Sequence, residues 1–327
     1  MLINKIETKD ISVIVQGAIN QLTHKCLGSV RKYLPDAKII LSTWEESNVK
    51  GLDYDILIES KDPGSFPCDV TDNSVANNVN RQLVSSLAGL KRCSSKYAIK
   101  MRTDFYLKGN EFLKYFGQYE KYNQEYKFVK SRIIGCTVYS RNPHSKILVF
   151  VMPYCPSDFF FFGYTEDILK LFDRELITSI DEKEYFEVYP EKRNLLNHKS
   201  ALCRFMPEQS IWIGFLQNYI SELYCDSRDD INSENQYLTE LTIANNLILC
   251  SCEQLQIDSF QEKLFKKGIP ENCITHSEWF YLYQFFCEGS KNAWKKFIKE
   301  TFWADQKYKW KQHMRKCINV ILKEKCR

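Results

Sequence analysis

The chain has 327 residues, room for one large or two ordinary domains around a substantial core. Its 44% hydrophobic and 26% charged content, with 12 Gly and 9 Pro, excludes disorder, collagen-like repeats and low-complexity tracts. The net charge of +4 is unevenly spread, because Lys291 to Arg327 holds 12 basic and 3 acidic residues and leaves a mildly acidic body. Such a tail points to an anionic surface as partner, and no nucleic-acid motif accompanies it. The 13 cysteines include no Cys-x-x-Cys, and the start Met1-Leu-Ile-Asn-Lys has no apolar signal region. No apolar run approaches the ~18 residues of a membrane span. The cysteines therefore read as reduced core residues of a cytoplasmic protein. Cys250 and Cys252, two apart, share one face if the segment is a strand. The 5 His are scattered, which argues against a His-ligated metal site.

In chain order, Ile11-Ser-Val-Ile-Val-Gln reads as a buried strand closed by Gly17. Thr23 caps a helix to about Tyr33, broken by Pro35-Asp36. Ala37 to Leu41 and Asp55 to Glu59 are the next strands. Asn73 or Ser74 caps a long helix whose apolar positions Val79, Leu83, Val84, Leu87 and Leu90 follow three-four spacing. Lys96 to Arg102 is a fourth strand. This βαββαβ order predicts a mainly parallel sheet with helices on its faces and ligands beyond the carboxyl ends of the strands. Tyr126 to Lys130, Ile133 to Tyr139, Ile147 to Met152 and the apolar run Asp158 to Phe162 read as further strands. Thr165 caps a helix through Phe172. Residues 174 to 200 read as a variable loop region, Pro207-Glu208-Gln209 opens a helix to about Leu223, and Leu247 to Cys252 is one more strand. Helices then dominate, giving a catalytic unit over 1–255 and a helical, basic amphipathic region over 256–327.

Four polar points fall at predicted strand ends: Gln16-Gly17, Thr43-Trp44-Glu45, Arg102-Thr103-Asp104, and Gly163 with Glu166-Asp167. Their convergence on one sheet edge is the signal. Asn77, Asn80 and Arg81 sit on the long helix, where an Arg with two amides suits a diphosphate or a nucleobase. Lys100 and Arg102 alternate along an apolar strand, point to the same side and need a counter-charge, from a ligand phosphate or Asp104.

These segments, taken in order, resemble the WavE lipopolysaccharide-synthesis family. The resemblance rests on Ile11-Ser-Val-Ile-Val-Gln-Gly, Cys26-Leu-Gly-Ser-Val-Arg-Lys-Tyr-Leu-Pro, Ile39-Ile-Leu-Ser-Thr-Trp-Glu and Gly51-Leu-Asp-Tyr-Asp. Asn77-Asn-Val-Asn-Arg-Gln-Leu-Val-Ser-Ser, Lys96-Tyr-Ala-Ile-Lys-Met-Arg-Thr-Asp, Arg141-Asn-Pro, Pro156-Ser-Asp-Phe with Phe162-Gly163, and Pro207-Glu-Gln-Ser-Ile-Trp continue it, over roughly residues 10 to 255. It implies an α/β, GT-A-like fold, a Rossmann-like mixed sheet flanked by helices, and a glycosyltransferase that moves sugar from a nucleotide-sugar donor. The implied acceptor is lipopolysaccharide or a capsular or other surface glycan, free or lipid-linked.

Under that reading Gln16, Gly17, Glu45, Asn77, Asn80 and Arg81 line the nucleotide-sugar side, and Lys100 and Arg102 the diphosphate. GT-A enzymes hold a divalent metal, Mn or Mg, on a DXD motif. Here that motif reads Arg102-Thr103-Asp104, so Asp104 is the metal candidate and Arg102 takes over part of the neutralisation. Glu208 fits the general base of an inverting transferase, or an acceptor ligand in a retaining one, and Asp158 is the second choice, contacting acceptor hydroxyls. Trp294, Phe297, Ile298 and Phe302, then Trp310, Met314, Cys317, Ile318 and Ile321, recur at helical spacing. They suit either an anionic membrane surface, at the inner face of the cytoplasmic membrane, or a packed terminal layer. The rival readings are a sugar-phosphate transferase on a similar fold and a non-catalytic glycan- or nucleotide-binding subunit.

Overall fold

The computed structural model describes residues 6–67, 76–147, 152–178, 181, 184–195, 202–259 and 272–325, with the side chains of 193–195 and 316–325 excepted. The strands are β1 (Ile11–Gln16), β2 (Lys38–Trp44), β3 (Ile56–Ser60), β4 (Phe66–Pro67), β5 (Ala76–Asn77) and β6 (Tyr97–Arg102). They are followed by β7 (Phe105–Leu107), β8 (Ile133–Cys136), β9 (Phe160–Tyr164), β10 (Leu247–Cys250) and β11 (Ile257–Ser259). A seven-stranded sheet runs β10-β8-β9-β6-β1-β2-β3, and β4/β5 and β7/β11 form two small ribbons. β1 pairs in parallel with β2 and β6, β2 with β3, and β8 with β10, whereas β9 runs antiparallel to both β6 and β8. This is a GT-A-like architecture: a mixed sheet flanked by helices, continued by a helical C-terminal region.

Both faces of the central strands are covered, which is why β1 is buried at all six positions and reads as an unbroken apolar run rather than an alternation. The helix Val79–Lys91 lies directly on β1 and β2. Gly89 permits that approach: a Cβ there would stand 2.5 Å from Ile14 Cγ2 and 3.3 Å from Ser42 Cβ. One hydrophobic cluster joins Val13, Ile99, Phe162, Trp212 and Leu249 to Ile257, Trp279, Leu282 and Phe297 of the C-terminal region. The helices His276–Phe286 and Lys291–Lys325 pack against each other. Ten described cysteines are free thiols, eight of them buried.

For the strands of the main sheet the βαββαβ order holds through β6, with the β4/β5 ribbon inserted before the second helix, and several other expectations are corrected. Residues 126–130 form no strand: a 3-10 turn at Gln124–Tyr126 leads into irregular chain, fixed where buried Asp167 accepts the main-chain N–H groups of Lys130 and Ser131. The helix from Val79 is preceded by β5, so Asn77 is on a strand; Asn73 and Ser74 lie outside the described residues, as do 148–151 of the strand expected over 147–152. Thr23 and Thr165 are first helical residues rather than caps, and the Thr165 hydroxyl donates to the Ser95 carbonyl. The Pro207 helix ends at Gln217, and residues 185–188 and 190–195 are short helices inside the expected loop region. β10 stops at Cys250, and Cys252 begins a helical turn whose thiol lies 3.7 Å from that of Cys136.

The reversal of β9 matters most for the site. Its register pairs Tyr164 with Tyr97 and Phe160 with Met101. The carboxyl end of β9, with Gly163, Glu166 and Asp167, therefore lies at the opposite sheet edge from Gln16 and Arg102. Its amino end brings Asp158 to their edge instead.

Candidate functional site

Beyond the carboxyl ends of β1, β2 and β6 lies a cavity of about 540 Å³. Its floor is the strand-end set Gln16, Gly17, Trp44, Arg102, Thr103 and Asp104, and its walls come from Asn78, Arg81 and Gln82, from Asp62, and from Met206, Pro207 and Glu208. The floor follows from register, since Gln16 and Arg102 are paired across β1 and β6. Gly17 turns the chain at φ +112°, a conformation L side chains rarely adopt. The loop it opens is tied back to β6 where Thr103 Oγ1 donates to the Ala18 carbonyl (2.7 Å) and accepts from Asn20 Nδ2 (3.0 Å). Ser85 on the Val79–Lys91 helix donates to Gln16 Oε1 at 2.5 Å, fixing that amide in the floor.

Two arginines meet the cavity, each held by a carboxylate. Arg102 donates from Nε and Nη2 to the two oxygens of Asp104 (2.9 and 2.8 Å), and Arg81 donates likewise to Asp62 (2.8 and 2.7 Å). These forks are planar and bidentate, the geometry that also recognises phosphate. The Arg81 bonds hold the Asp62 carboxyl below the usual range.

Beneath them is a buried charge cluster. Lys100 is wholly buried, and its ammonium donates to the Asp158 carbonyl (2.5 Å) and lies 3.5 Å from Asp158 Oδ2. Burial lowers the Lys100 pKa, opposed by the Asp158 charge. The counter-charge that Lys100 needs is therefore Asp158, and that of Arg102 is Asp104. Asp158 Oδ1 is buried and accepts no hydrogen bond among the described residues. Glu208 sits in the first turn of the Pro207–Gln217 helix, with Gln209 accepting the Met206 N–H to close that turn. Burial, then the neighbouring Asp158 charge, pushes the Glu208 carboxyl up to about 7, against the pull of its own main-chain N–H, Arg141 and Arg102.

Of the residues singled out by the sequence, the structure brings Gln16, Gly17, Arg81, Arg102, Asp104 and Glu208 to the cavity. Lys100 and Asp158 lie under it as an ion pair. Asn77, Asn80 and Glu45 do not line it. Asn77 is buried, accepts the Val79 N–H at 3.0 Å and donates to the Phe205 carbonyl at 3.0 Å. It thus ties the helix start to the Met206–Glu208 wall. Asn80 exchanges two 2.8 Å bonds with the main chain of Ile177. Glu45 is exposed one residue beyond the strand, whereas Trp44, half-buried, faces the cavity. Asn78, Gln82 and Asp62 are lining residues that sequence reasoning did not select.

The residues as placed do not fit a metal. Both Asp104 oxygens are committed to Arg102, and among the described residues no three His, Cys, Asp or Glu side chains converge on a metal-sized site.

A mixed α/β sheet with a charge-lined cavity at the carboxyl edge of its parallel strands places the chain among the open α/β proteins, whose ligands bind at that edge. Within it the chain belongs to the WavE lipopolysaccharide synthesis family, whose sequence model matches residues 11–315. The family places the protein in lipopolysaccharide synthesis. No curated protein matches the chain.

Proposed function

We propose that the protein is a glycosyltransferase that takes a sugar from a nucleotide-sugar donor and adds it to a lipopolysaccharide or related surface-glycan acceptor. The observation that carries this is the meeting, in one cavity, of two phosphate-competent arginines and a carboxyl poised near neutrality. Arg102 is the group that meets the donor diphosphate, by sharing or exchanging its Asp104 partner, with Arg81 on the nucleotide side. In an inverting transfer the acceptor hydroxyl oxygen forms the new bond to the anomeric carbon as the bond to the diphosphate oxygen breaks. The hydroxyl proton passes to Glu208, and the nucleoside diphosphate leaves against Arg102. A carboxyl titrating about 7 is partly ionised at neutral pH, so it accepts that proton without prior activation.

The test is a thermal-shift screen of UDP, GDP, CDP and ADP, CMP, and their common sugar conjugates, in chelator and with manganese. A ligand at 100 times its dissociation constant stabilises by about 2.7 kcal/mol. Stabilisation by one nucleotide family, reduced to about half in Arg102→Gln at the same ligand concentration, supports the donor site. No shift under any condition removes it and favours a subunit without a nucleotide site.

A further inference from the structure

We propose that the C-terminal helix is a docking surface for anionic lipid bilayers. Among the described side chains, the helix Lys291–Lys325 buries one face, Ala293, Phe297, Thr301 and Asp305, spaced four residues apart. Buried Thr301 donates to Glu278 Oε1 (2.7 Å), and buried Asp305 accepts from Ser145 Oγ (2.8 Å) and from the Lys146 N–H (2.7 Å). Beyond Asp305 no described side chain is buried, yet the helix continues to Lys325, roughly 30 Å at 1.5 Å per residue.

The face turned away from those anchors carries an unusual pattern. Trp303, Trp310 and Met314 are 60%, 65% and 40% exposed. Their spacings of seven and four residues place them in one stripe, and Trp303 stands two residues, about 200°, from the inward Thr301. Lys299, Lys307 and Lys311 lie three or four residues from members of that stripe, so they flank it. The acids do not. Glu300 is hydrogen-bonded by Ser277 of the body and Asp305 is buried, which leaves the outer face up to Arg315 cationic. Tryptophan and methionine between lysine ammoniums match the boundary between acyl chains and acidic headgroups.

The same charge pattern disfavours the other occupants. A second copy packed on this stripe would set lysine against lysine. A nucleic-acid backbone would pair the lysines but leave the tryptophans and methionine without an apolar partner. The surface is independent of the reaction in the cavity.

The experiment is co-flotation of the full chain with phosphatidylcholine vesicles and with vesicles carrying 30% phosphatidylglycerol, alongside a duplex DNA of equal charge. Binding is expected to the anionic vesicles only, weakening at least tenfold between low and high salt. Lys299→Gln/Lys307→Gln/Lys311→Gln should weaken it on the order of a hundredfold, at about fivefold per lysine. Trp303→Ser/Trp310→Ser should abolish it while leaving the unfolding midpoint unchanged, since both residues are exposed. Equal binding to neutral vesicles, tighter binding to DNA, indifference to both variants, or a dimer dissolved by Trp303→Ser/Trp310→Ser would each overturn the proposal.

Discussion

Glu208 carries the clearest consequence at the scale of single residues. Its folded-state pKa of about 7 lies above the ordinary 4.5, so the folded state holds its proton over a range where the unfolded chain has released it. Stability from this group is fully present below pH 4.5 and is lost as pH rises through 7, by on the order of 3 kcal/mol. Activity should move the other way, rising through the same pH as the base ionises. Glu208→Gln is expected to lower kcat by about 10²–10⁴-fold. It should also flatten both profiles between pH 5 and 7, seen in unfolding midpoints and in initial rates. A second expectation concerns the ion pair below. Asp158→Ala leaves the Lys100 ammonium buried without its carboxylate and should destabilise by about 3–5 kcal/mol in denaturant titration. Replacing both partners, Lys100→Met with Asp158→Leu, should restore most of that loss, because the pair then no longer carries a desolvation cost. A double variant as unstable as Asp158→Ala would mean that packing, not charge, sets the effect.

At the scale of elements, two glycines separate shape from chemistry. Gly89→Ala would drive a methyl into Ile14 and Ser42 and lift the Val79–Lys91 helix off the sheet. Overpacking of this kind costs about 1–3 kcal/mol, readable as a lowered unfolding midpoint. At Gly17 the nearest atom to an added Cβ is Thr103 Oγ1 at 3.7 Å, so space is adequate and only the backbone objects. Gly17→Ala should therefore cost about 1–2 kcal/mol and weaken nucleotide binding as the Ala18–Asn20 loop shifts, which calorimetric titration would register. These elements also show what the residues disclose by themselves. The strands β1, β2 and β6 and the first-turn position of Glu208 were legible because apolar runs, glycine closure and Pro at a helix start are local signals. The direction of β9 was not, because Phe160–Tyr164 is apolar throughout and pairs equally well either way; its antiparallel run decides that Asp158, not Glu166 or Asp167, reaches the site edge. Asn77 and Asn80 were visible as amides near an arginine, but an amide bonds main chain as readily as ligand, and here both do the former. Asp62 was hidden because it sits on a loop whose partner, Arg81, is distant in sequence.

At the scale of the whole molecule, one hydrophobic cluster joins the sheet to the first turns of the C-terminal helix, so the cavity and the projecting basic helix belong to one body. No described helix is long and apolar enough to cross a membrane. Under the proposed function, Arg102, held in a fork with Asp104, meets the charge of the donor diphosphate with a guanidinium of the chain. Equilibrium titration in chelator, comparing the nucleoside diphosphate chosen by the thermal screen with its monophosphate, tests this most directly. The diphosphate should bind at least tenfold more tightly, and the difference should vanish in Arg102→Gln, as expected for a charge-assisted bond of about 1.5–3 kcal/mol. Equal affinity for the two nucleotides, or a preference untouched by Arg102→Gln, would contradict it.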